Sequence, residues 1–293
     1  MPGLMADQRG YVALLLMAGA IWGSSFAVIK LGLETVDPIF FALLRFALGG
    51  AVMALAMLAM GRFDRRLLTS RPVIVLSVVN AAAFALQNVG LTMTTATNAA
   101  LLININVGIV AILAAVMLKE TITSRTIYGL GIGLAGVIVI STEGDLASVL
   151  NVSSLGDLLV FSAGVLWAFY VVYMKRTLEQ EEDVLMISTA VIIGSAAFLV
   201  PLTMLLAKST AVPASGLWTV LYTGIVCTAF AYMLHNTGLR RVRATDSAII
   251  LLVEPIFGVL FAILLLQEWP SASTLAGGAL VLLSIGIVSR RAP

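Results

Sequence analysis

Two stretches of sequence that lie 148 residues apart decide the fold. Residues 97–120 read TNAALLININVGIVAILAAVMLKE, and residues 245–268 read TDSAIILLVEPIFGVLFAILLLQE. Both stretches begin with threonine, end with glutamate and are apolar over most of their length. The same shift relates Asn88 to Asn236, so the register extends beyond the quoted letters without an insertion. We interpret the two stretches as matching parts of an internal repeat.

Each copy of the repeat contains five apolar segments, and this odd number predicts that the two copies are inverted. A chain that crosses a membrane five times begins its second copy from the opposite side, which is how many secondary transporters are built. We therefore predict ten transmembrane helices arranged as two inverted five-helix repeats, residues 1–148 and 149–293. The predicted spans are residues 10–33, 38–60, 72–93, 98–117, 125–141, 155–176, 184–206, 215–237, 244–266 and 271–289.

The composition is typical of an all-α polytopic membrane protein. Of the 293 residues, 60% are hydrophobic and 11% are charged, and the mean hydropathy is +1.08. Apolar runs of about twenty residues are long enough to cross about 30 Å of hydrocarbon. One cysteine, Cys227, excludes a disulfide within the chain, and together with the single histidine, His235, it cannot form a tetrahedral metal site. We expect no metal, no cofactor and no nucleic-acid partner.

The distribution of basic residues predicts the orientation in the membrane. If the N terminus is cytoplasmic, 14 of the 17 lysines and arginines fall on the cytoplasmic side, and only Lys30 and Lys208 fall on the opposite side. The remaining one, Arg45, lies within a span. Because cytoplasmic loops are enriched in lysine and arginine, we predict that both termini are cytoplasmic.

Several short motifs carry a family resemblance that covers essentially the whole chain. In chain order they are Trp22-Gly23-Ser24-Ser25-Phe26, Lys30, Pro38, Leu44-Arg45-Phe46, the stretch from Ala99 to Glu120, and the stretch from Ala248 to Glu268 with Glu254-Pro255 inside it. In this order the chain resembles the EamA-type ten-helix exporters of the drug/metabolite transporter superfamily, and it looks closest to their aromatic-amino-acid branch. The resemblance implies the export of amino acids or other metabolites. One departure is Val107, which stands where the second copy has Pro255, so the two halves need not bend alike.

The third and eighth spans each carry a polar, an aromatic and a second polar residue on one helical face. These residues are Asn80, Phe84 and Gln87 in the third span and, 148 residues later, Thr228, Tyr232 and His235 in the eighth. If the two spans face each other, both stripes line a substrate cavity. The alternative is that each stripe serves interhelical hydrogen bonding and aromatic packing.

Two tryptophans lie near the middle of the first and sixth spans. At 1.5 Å per residue, Trp22 and Trp167 should lie near the midplane, where an indole can stack on an apolar or cationic part of a substrate. Core packing is the alternative. Tyr170, three residues after Trp167, joins the substrate-binding candidates. Each tryptophan precedes a lysine by eight residues, and we expect these lysines, Lys30 and Lys175, to extend to opposite interfaces.

Two charged residues, Arg45 and Glu254, lie well inside spans, away from their ends, and a charge at mid-span costs about 2.5–3.5 kcal/mol by insertion scales. Glu254 has three candidate roles: a counter-charge for a substrate ammonium, a proton carrier for coupling, or a hydrogen-bond partner beside Pro255. Its match in the first copy is Asn106, which is also polar. For Arg45 we expect a side chain that reaches toward the outer interface and a polar neighbour. The alternative is an anion-binding role, most naturally for a carboxylate.

Other polar residues within the spans are weaker candidates. Ser25, Asn98 and Asn104 are secondary candidates for the cavity. Because Asn104 and Asn106 are two positions apart, they should point to different sides of one helix, so we expect only one of them to line the path. A lone histidine such as His235 is more often a hydrogen-bonded structural residue than a proton switch.

Other functional classes lack their signatures in this chain. A single histidine excludes the two-histidine zinc helix of metalloproteases, and there is no Gly-x-Ser-x-Gly motif or phosphate-binding loop, so we expect neither an enzyme nor a nucleotide-driven pump. A channel is expected to contain a ring of charged residues or a filter loop of backbone carbonyls, and this sequence indicates neither.

Together these patterns predict a secondary transporter in the bacterial inner membrane, whose partners are a small-molecule substrate and the lipid bilayer. We expect export of amino acids and related metabolites by alternating access through a cavity enclosed by the first, third, sixth, eighth and ninth spans. Export of drugs or quaternary ammonium compounds, or uncoupled facilitation, is the alternative.

Overall fold

The structure is a computed structural model, and it describes residues 2–61, 69–94, 99, 102–104, 106–142, 155–180, 183–266 and 269–289. Within these ranges all regular structure is helical. The helices are α1 (Pro2–Leu33), α2 (Pro38–Ala59), α3 (Arg71–Leu91), α4 (Asn106–Met117), α5 (Ser124–Thr142), α6 (Leu155–Gln180), α7 (Val184–Leu206), α8 (Ala214–Arg241), α9 (Ala244–Leu251), α10 (Glu254–Leu266) and α11 (Ala272–Ser289).

The helices confirm an all-α polytopic membrane protein. In the described part of the chain, nine segments are long and apolar enough to cross a membrane, with α9 and the first half of α10 counted as one span. A shorter apolar helix, Leu102–Met117, contains α4. These segments correspond to the ten predicted spans.

The second and seventh helices begin in the same way. The carboxylate of Asp37 accepts hydrogen bonds from the backbone N–H groups of Ile39 and Phe40 at 2.9 and 3.3 Å, and that of Asp183 accepts one from Met186 at 3.1 Å. Each aspartate thereby satisfies N–H groups that the first helical turn leaves without a partner.

Two helices depart from regular α geometry. The middle of α8, Thr223–Phe230, is a π-helix, and such segments are frequent at functional sites. The ninth span is interrupted between α9 and α10, where Leu252 and Val253 form a turn just before Glu254 and Pro255.

The helix pairings repeat when the first and second parts of the chain are exchanged. α2 packs on α7, and α5 packs along α11. α3 packs against α6 and α7, and correspondingly α8 packs against α1 and α2. Most of the largest fully buried side chains, such as Tyr170, Tyr232 and Phe46, lie in the core between these helices.

Glycines allow close approaches between neighbouring parts of the bundle. A Cβ atom on Gly19 of α1 would lie 2.5 Å from the Val253 side chain, at the interruption of the ninth span. Gly136 of α5 and Gly277 of α11 face each other, and a Cβ atom on either would lie 2.7 Å from the carbonyl oxygen of the other. Small residues of this kind let membrane helices pack backbone to backbone.

Candidate functional site

A cavity lies among α1, α2, α3, α4, α6, α9 and the start of α10, and it is the candidate substrate site. It holds about 810 Å³ of space free of protein atoms, its open end included. Its wall is mostly apolar and aromatic, with a few polar and two charged side chains. The lining residues are Trp22, Ser25, Ile29, Arg45, Ala83, Phe84, Gln87, Ile103, Asn104, Asn106, Val107, Val110, Ala163, Trp167, Val171, Ala248, Leu251 and Glu254.

Three predicted aromatic residues meet in the cavity wall. The Trp22 and Trp167 rings pack edge to face with centroids 5.7 Å apart, and Phe84 packs edge to face on Trp167 at 6.3 Å. Trp22 is held in place because its Nε1–H donates to the carbonyl oxygen of Cys227 at 2.8 Å. These rings provide a rigid apolar surface with π faces that suit aromatic, aliphatic or cationic groups.

Arg45 points into the core of the protein, and the predicted reach of its side chain to the outer interface is wrong. The residue is 2% exposed and lines the cavity. Its Nε–H donates to Thr228 Oγ1 at 2.7 Å, and Nη2 donates to the Cys227 carbonyl oxygen at 3.4 Å. Its Cζ lies 4.7 Å from the centroid of the Phe84 ring. The physical reason is that the π-helical part of α8 supplies polar partners deep in the bundle, so the guanidinium need not reach the interface.

Glu254 lines the same cavity as Arg45 but is not paired with it. The residue begins α10, directly after the interruption of the ninth span, and is partly buried. In the described part of the chain, its carboxyl group makes no hydrogen bond and no ion pair within 4.0 Å. The cavity wall therefore carries a carboxyl group and a guanidinium group that are not paired with each other and can both contact a bound molecule.

Amide and hydroxyl groups complete the polar part of the wall. Gln87, Asn104, Asn106 and Ser25 all line the cavity. The expectation that only one of Asn104 and Asn106 would do so is wrong, because both are among the lining residues. Asn98 lies outside the described residues.

The remaining members of the two polar stripes form a hydrogen-bonded layer behind the cavity wall. The Tyr232 hydroxyl donates to Asn80 Oδ1 at 3.0 Å, and Asn80 Nδ2 donates to Ser195 Oγ at 3.0 Å. Thr228 Oγ1 accepts the Arg45 bond and donates to the Thr223 carbonyl oxygen at 2.9 Å, a step of five residues that fits the π-helix. The third and eighth spans thus meet, but Asn80, Thr228 and Tyr232 are not among the lining residues.

Tyr170 and His235 also lie behind the wall. Tyr170 is fully buried and stacks on Trp167 with centroids 4.9 Å apart. The His235 ring lies 5.1 Å from that of Trp22, and its Nδ1 is 3.1 Å from Asn236 Oδ1. Neither residue is among those that line the cavity. Both support the tryptophans that do.

The two lysines that follow the tryptophans differ in environment. Lys30 is exposed, as expected. Lys175 is 6% exposed, and its Nζ donates to the Arg240 carbonyl oxygen at 2.9 Å and lies 3.1 Å from a Glu179 carboxylate oxygen. Lys175 therefore joins α6 to the end of α8, and its extension to the interface stays a prediction.

The helices that enclose the cavity differ in part from the predicted set. The first, third, sixth and ninth spans contribute lining residues as expected, the second and fourth also contribute, and the eighth contributes none. The signal for the second span was present in the sequence as Arg45, the basic residue inside a span. In the described ranges no group of histidine, cysteine, aspartate and glutamate could hold a metal ion.

The chain is similar to a family of membrane transporters and to several of its members. A model of the EamA-like transporter family matches residues 9–142 and again residues 154–290. An uncharacterized transporter of Archaeoglobus fulgidus is 30% identical over 289 residues, which cover 95% of this chain and 96% of the relative. The uncharacterized transporter YyaM of Bacillus subtilis is 26% identical over 257 residues, or 84% of this chain and 83% of YyaM. A crystal structure with 19% sequence identity superimposes with a TM-score of 0.80 over 95% of this chain and 96% of its own, a likeness of fold.

Proposed function

Since this chain belongs to the EamA-like transporter family and is a multi-pass membrane transporter, we propose that it exports amino acids and related small metabolites. Transport proceeds by alternating access, in which a central cavity opens first to one side of the membrane and then to the other. The membrane is the bacterial inner membrane, and both termini are cytoplasmic.

One observation carries the proposal of an amino-acid cargo. Arg45 and Glu254 line one aromatic cavity without forming an ion pair with each other. A buried charge without an opposite charge beside it is unfavourable. A ligand that carries a negative group for Arg45 and a positive group for Glu254 is therefore stabilised by both residues. A free amino acid carries a carboxylate and an ammonium group on a small frame, and the wall formed by Trp22, Phe84 and Trp167 suits an apolar side chain.

The proposed mechanism rests on two inverted repeats, residues 1–148 and 149–293. The exchange of helix pairings between the first and second parts of the chain supports this arrangement. Because the cavity takes lining residues from both repeats, a rocking motion of one repeat against the other would change its access.

A second candidate cargo is an apolar cation such as a quaternary ammonium compound. The aromatic faces of Trp22 and Trp167 and the acid Glu254 favour such a cation. Arg45 in the same cavity opposes it by like-charge repulsion, and we therefore rank amino acids first.

Counterflow in proteoliposomes tests the proposal. Vesicles loaded with an unlabelled amino acid should take up the same labelled amino acid faster than empty liposomes, because a carrier exchanges substrate across the membrane. An imposed pH gradient should stimulate uptake further if protons are coupled. The proposal is overturned if no amino acid gives counterflow, and labelled tetraphenylphosphonium would then test the apolar-cation alternative.

A further inference from the structure

The guanidinium of Arg45 is fixed by the protein on one side only. Nε donates to Thr228 and Nη2 to the Cys227 carbonyl, so two of its five N–H groups have partners. In the described part of the chain no carboxylate lies within 4.0 Å of it. The residue is 2% exposed and is the one cation among the described residues that line the cavity, so its remaining N–H groups are charged donors for a ligand bound there.

The bonds to α8 also fix the direction in which the guanidinium points. The Thr228 hydroxyl accepts from Arg45 and donates its own proton to the Thr223 carbonyl, so it is used as a donor and as an acceptor. The Cys227 carbonyl is shared between Arg45 and the Trp22 indole. The Arg45 Cζ atom lies over the Phe84 ring, 4.7 Å from its centroid. These contacts hold the planar group as a preformed receptor.

The surroundings indicate which anion this receptor selects. A phosphate dianion would bring two negative charges into a cavity that already contains Glu254 and in which Arg45 is the one cation among the described lining residues. A carboxylate carries one negative charge, and its two oxygens match the geometry of the guanidinium. The rest of the wall is mostly apolar, so the remainder of the ligand is apolar apart from the group that meets Glu254.

We propose that Arg45 is the specificity-determining residue that binds the substrate carboxylate, with Thr228 on the π-helical segment as its positioning residue. This inference rests on the proposed amino-acid cargo. It assigns the orientation of the substrate: the carboxylate lies toward α2 and α8, and the ammonium group lies toward Glu254 at the start of α10. It also predicts that ligands without a carboxylate bind weakly.

Binding of a matched ligand pair to purified protein tests the inference. Phenylalanine and phenylalaninamide share the ammonium group and the ring, but only phenylalanine has a carboxylate. Isothermal titration should give a Kd for phenylalanine about tenfold lower than that for the amide in the unmodified protein. In Arg45→Gln this preference should disappear, because phenylalanine binds about tenfold more weakly while the Kd of the amide does not rise.

Two further variants distinguish a lost carboxylate contact from misfolding and from a general effect of charge. Thr228→Val keeps the side-chain shape and the guanidinium but removes the acceptor that orients it, so the preference for phenylalanine should fall by about threefold. Lys30→Gln removes an exposed positive charge on α1 and should leave the preference unchanged.

The outcomes separate the inference from the proposed function. If the unmodified protein binds phenylalanine and both Arg45→Gln and Thr228→Val keep its preference over the amide, the assignment of Arg45 is wrong and the amino-acid cargo stands. If the unmodified protein binds phenylalanine and its amide equally, the assignment is also wrong. If it binds neither these ligands nor any other amino acid, the cargo and the assignment fail together.

Discussion

Of the cavity-lining residues in the described part of the chain, Glu254 is the one whose side chain carries a carboxyl group, a group that can bind and release a proton. An amide at this position keeps the size and polarity of the side chain but cannot carry a proton. If Glu254 carries the coupled proton, Glu254→Gln should retain amino-acid counterflow at a reduced rate and lose all stimulation by a pH gradient. Glu34→Gln, at an exposed position, is the matched control. Stimulation that persists in Glu254→Gln would assign the coupling elsewhere.

Depth in a span and side-chain chemistry are sufficient to predict some of the residues that line the candidate cavity. Phe84 and Gln87 lie on one helical face and Glu254 lies deep in a span, and each lines the cavity. The environment of Arg45 could not be predicted in this way. It depends on Thr228, which lies 183 residues away in the chain and close in space only once α2 packs on α8.

At the scale of single helices, the glycines of α5 allow a direct test of packing. A Cβ atom on Gly136 would lie 2.7 Å from the Gly277 carbonyl oxygen, whereas a Cβ atom on Gly131 of the same helix would meet nothing within 4 Å. Gly136→Leu should therefore force α5 and α11 apart at a cost of about 1–3 kcal/mol or more. Thermal unfolding in detergent should show a lower apparent Tm for Gly136→Leu than for Gly131→Leu. Equal values would contradict the packing of α5 on α11.

The eighth span shows why a helical-face argument was insufficient. The pattern at Thr228, Tyr232 and His235 correctly marked one face, since all three are fully buried. However, the Trp22 ring, whose centroid lies 5.5 Å from that of Tyr232 and 5.1 Å from that of His235, lines the cavity, and those two side chains are not among the lining residues. Nothing in the sequence of Thr223–Phe230 signals the π-helix that turns the Cys227 carbonyl toward Trp22, because this geometry depends on tertiary partners.

At the scale of the whole molecule, hydropathy is enough to predict the ten apolar segments of the described part of the chain and most of their ends, but not the break that divides the ninth into two helices. The predicted second span, residues 38–60, corresponds to Pro38–Ala59, and the predicted eighth, residues 215–237, corresponds to Ala214–Arg241. Hydropathy works here because a span must be apolar along its whole length to lie in lipid. Which helices enclose the cavity depends on contacts between them, and no periodicity within one helix reports that.

The carboxylate of Glu120, in the α4–α5 loop, contacts the start of α9 and so joins the two proposed repeats at one end of the bundle. Glu120 accepts hydrogen bonds from the backbone N–H groups of Ala244 and Thr245 at 2.7 and 3.2 Å and from the Thr245 hydroxyl at 2.8 Å. Arg243 Nε lies 3.7 Å from the same carboxylate. By the proposed orientation this end is cytoplasmic. Any motion that opens the cavity between these elements must break bonds to a charged acceptor, which are among the stronger hydrogen bonds in proteins.

Removal of this carboxylate should favour the state that is open to the cytoplasm. In a Cys227→Ser background, the cavity-lining position Ala248 can be replaced by cysteine and labelled with a membrane-impermeant maleimide in inside-out vesicles. Glu120→Ala should increase the labelling rate several-fold, because the closed state loses its contacts with α9. Glu179→Ala is the matched control, since that carboxylate is half exposed and pairs with Lys175 within α6. Equal labelling rates in the two variants would mean that Glu120 does not hold the cytoplasmic end closed.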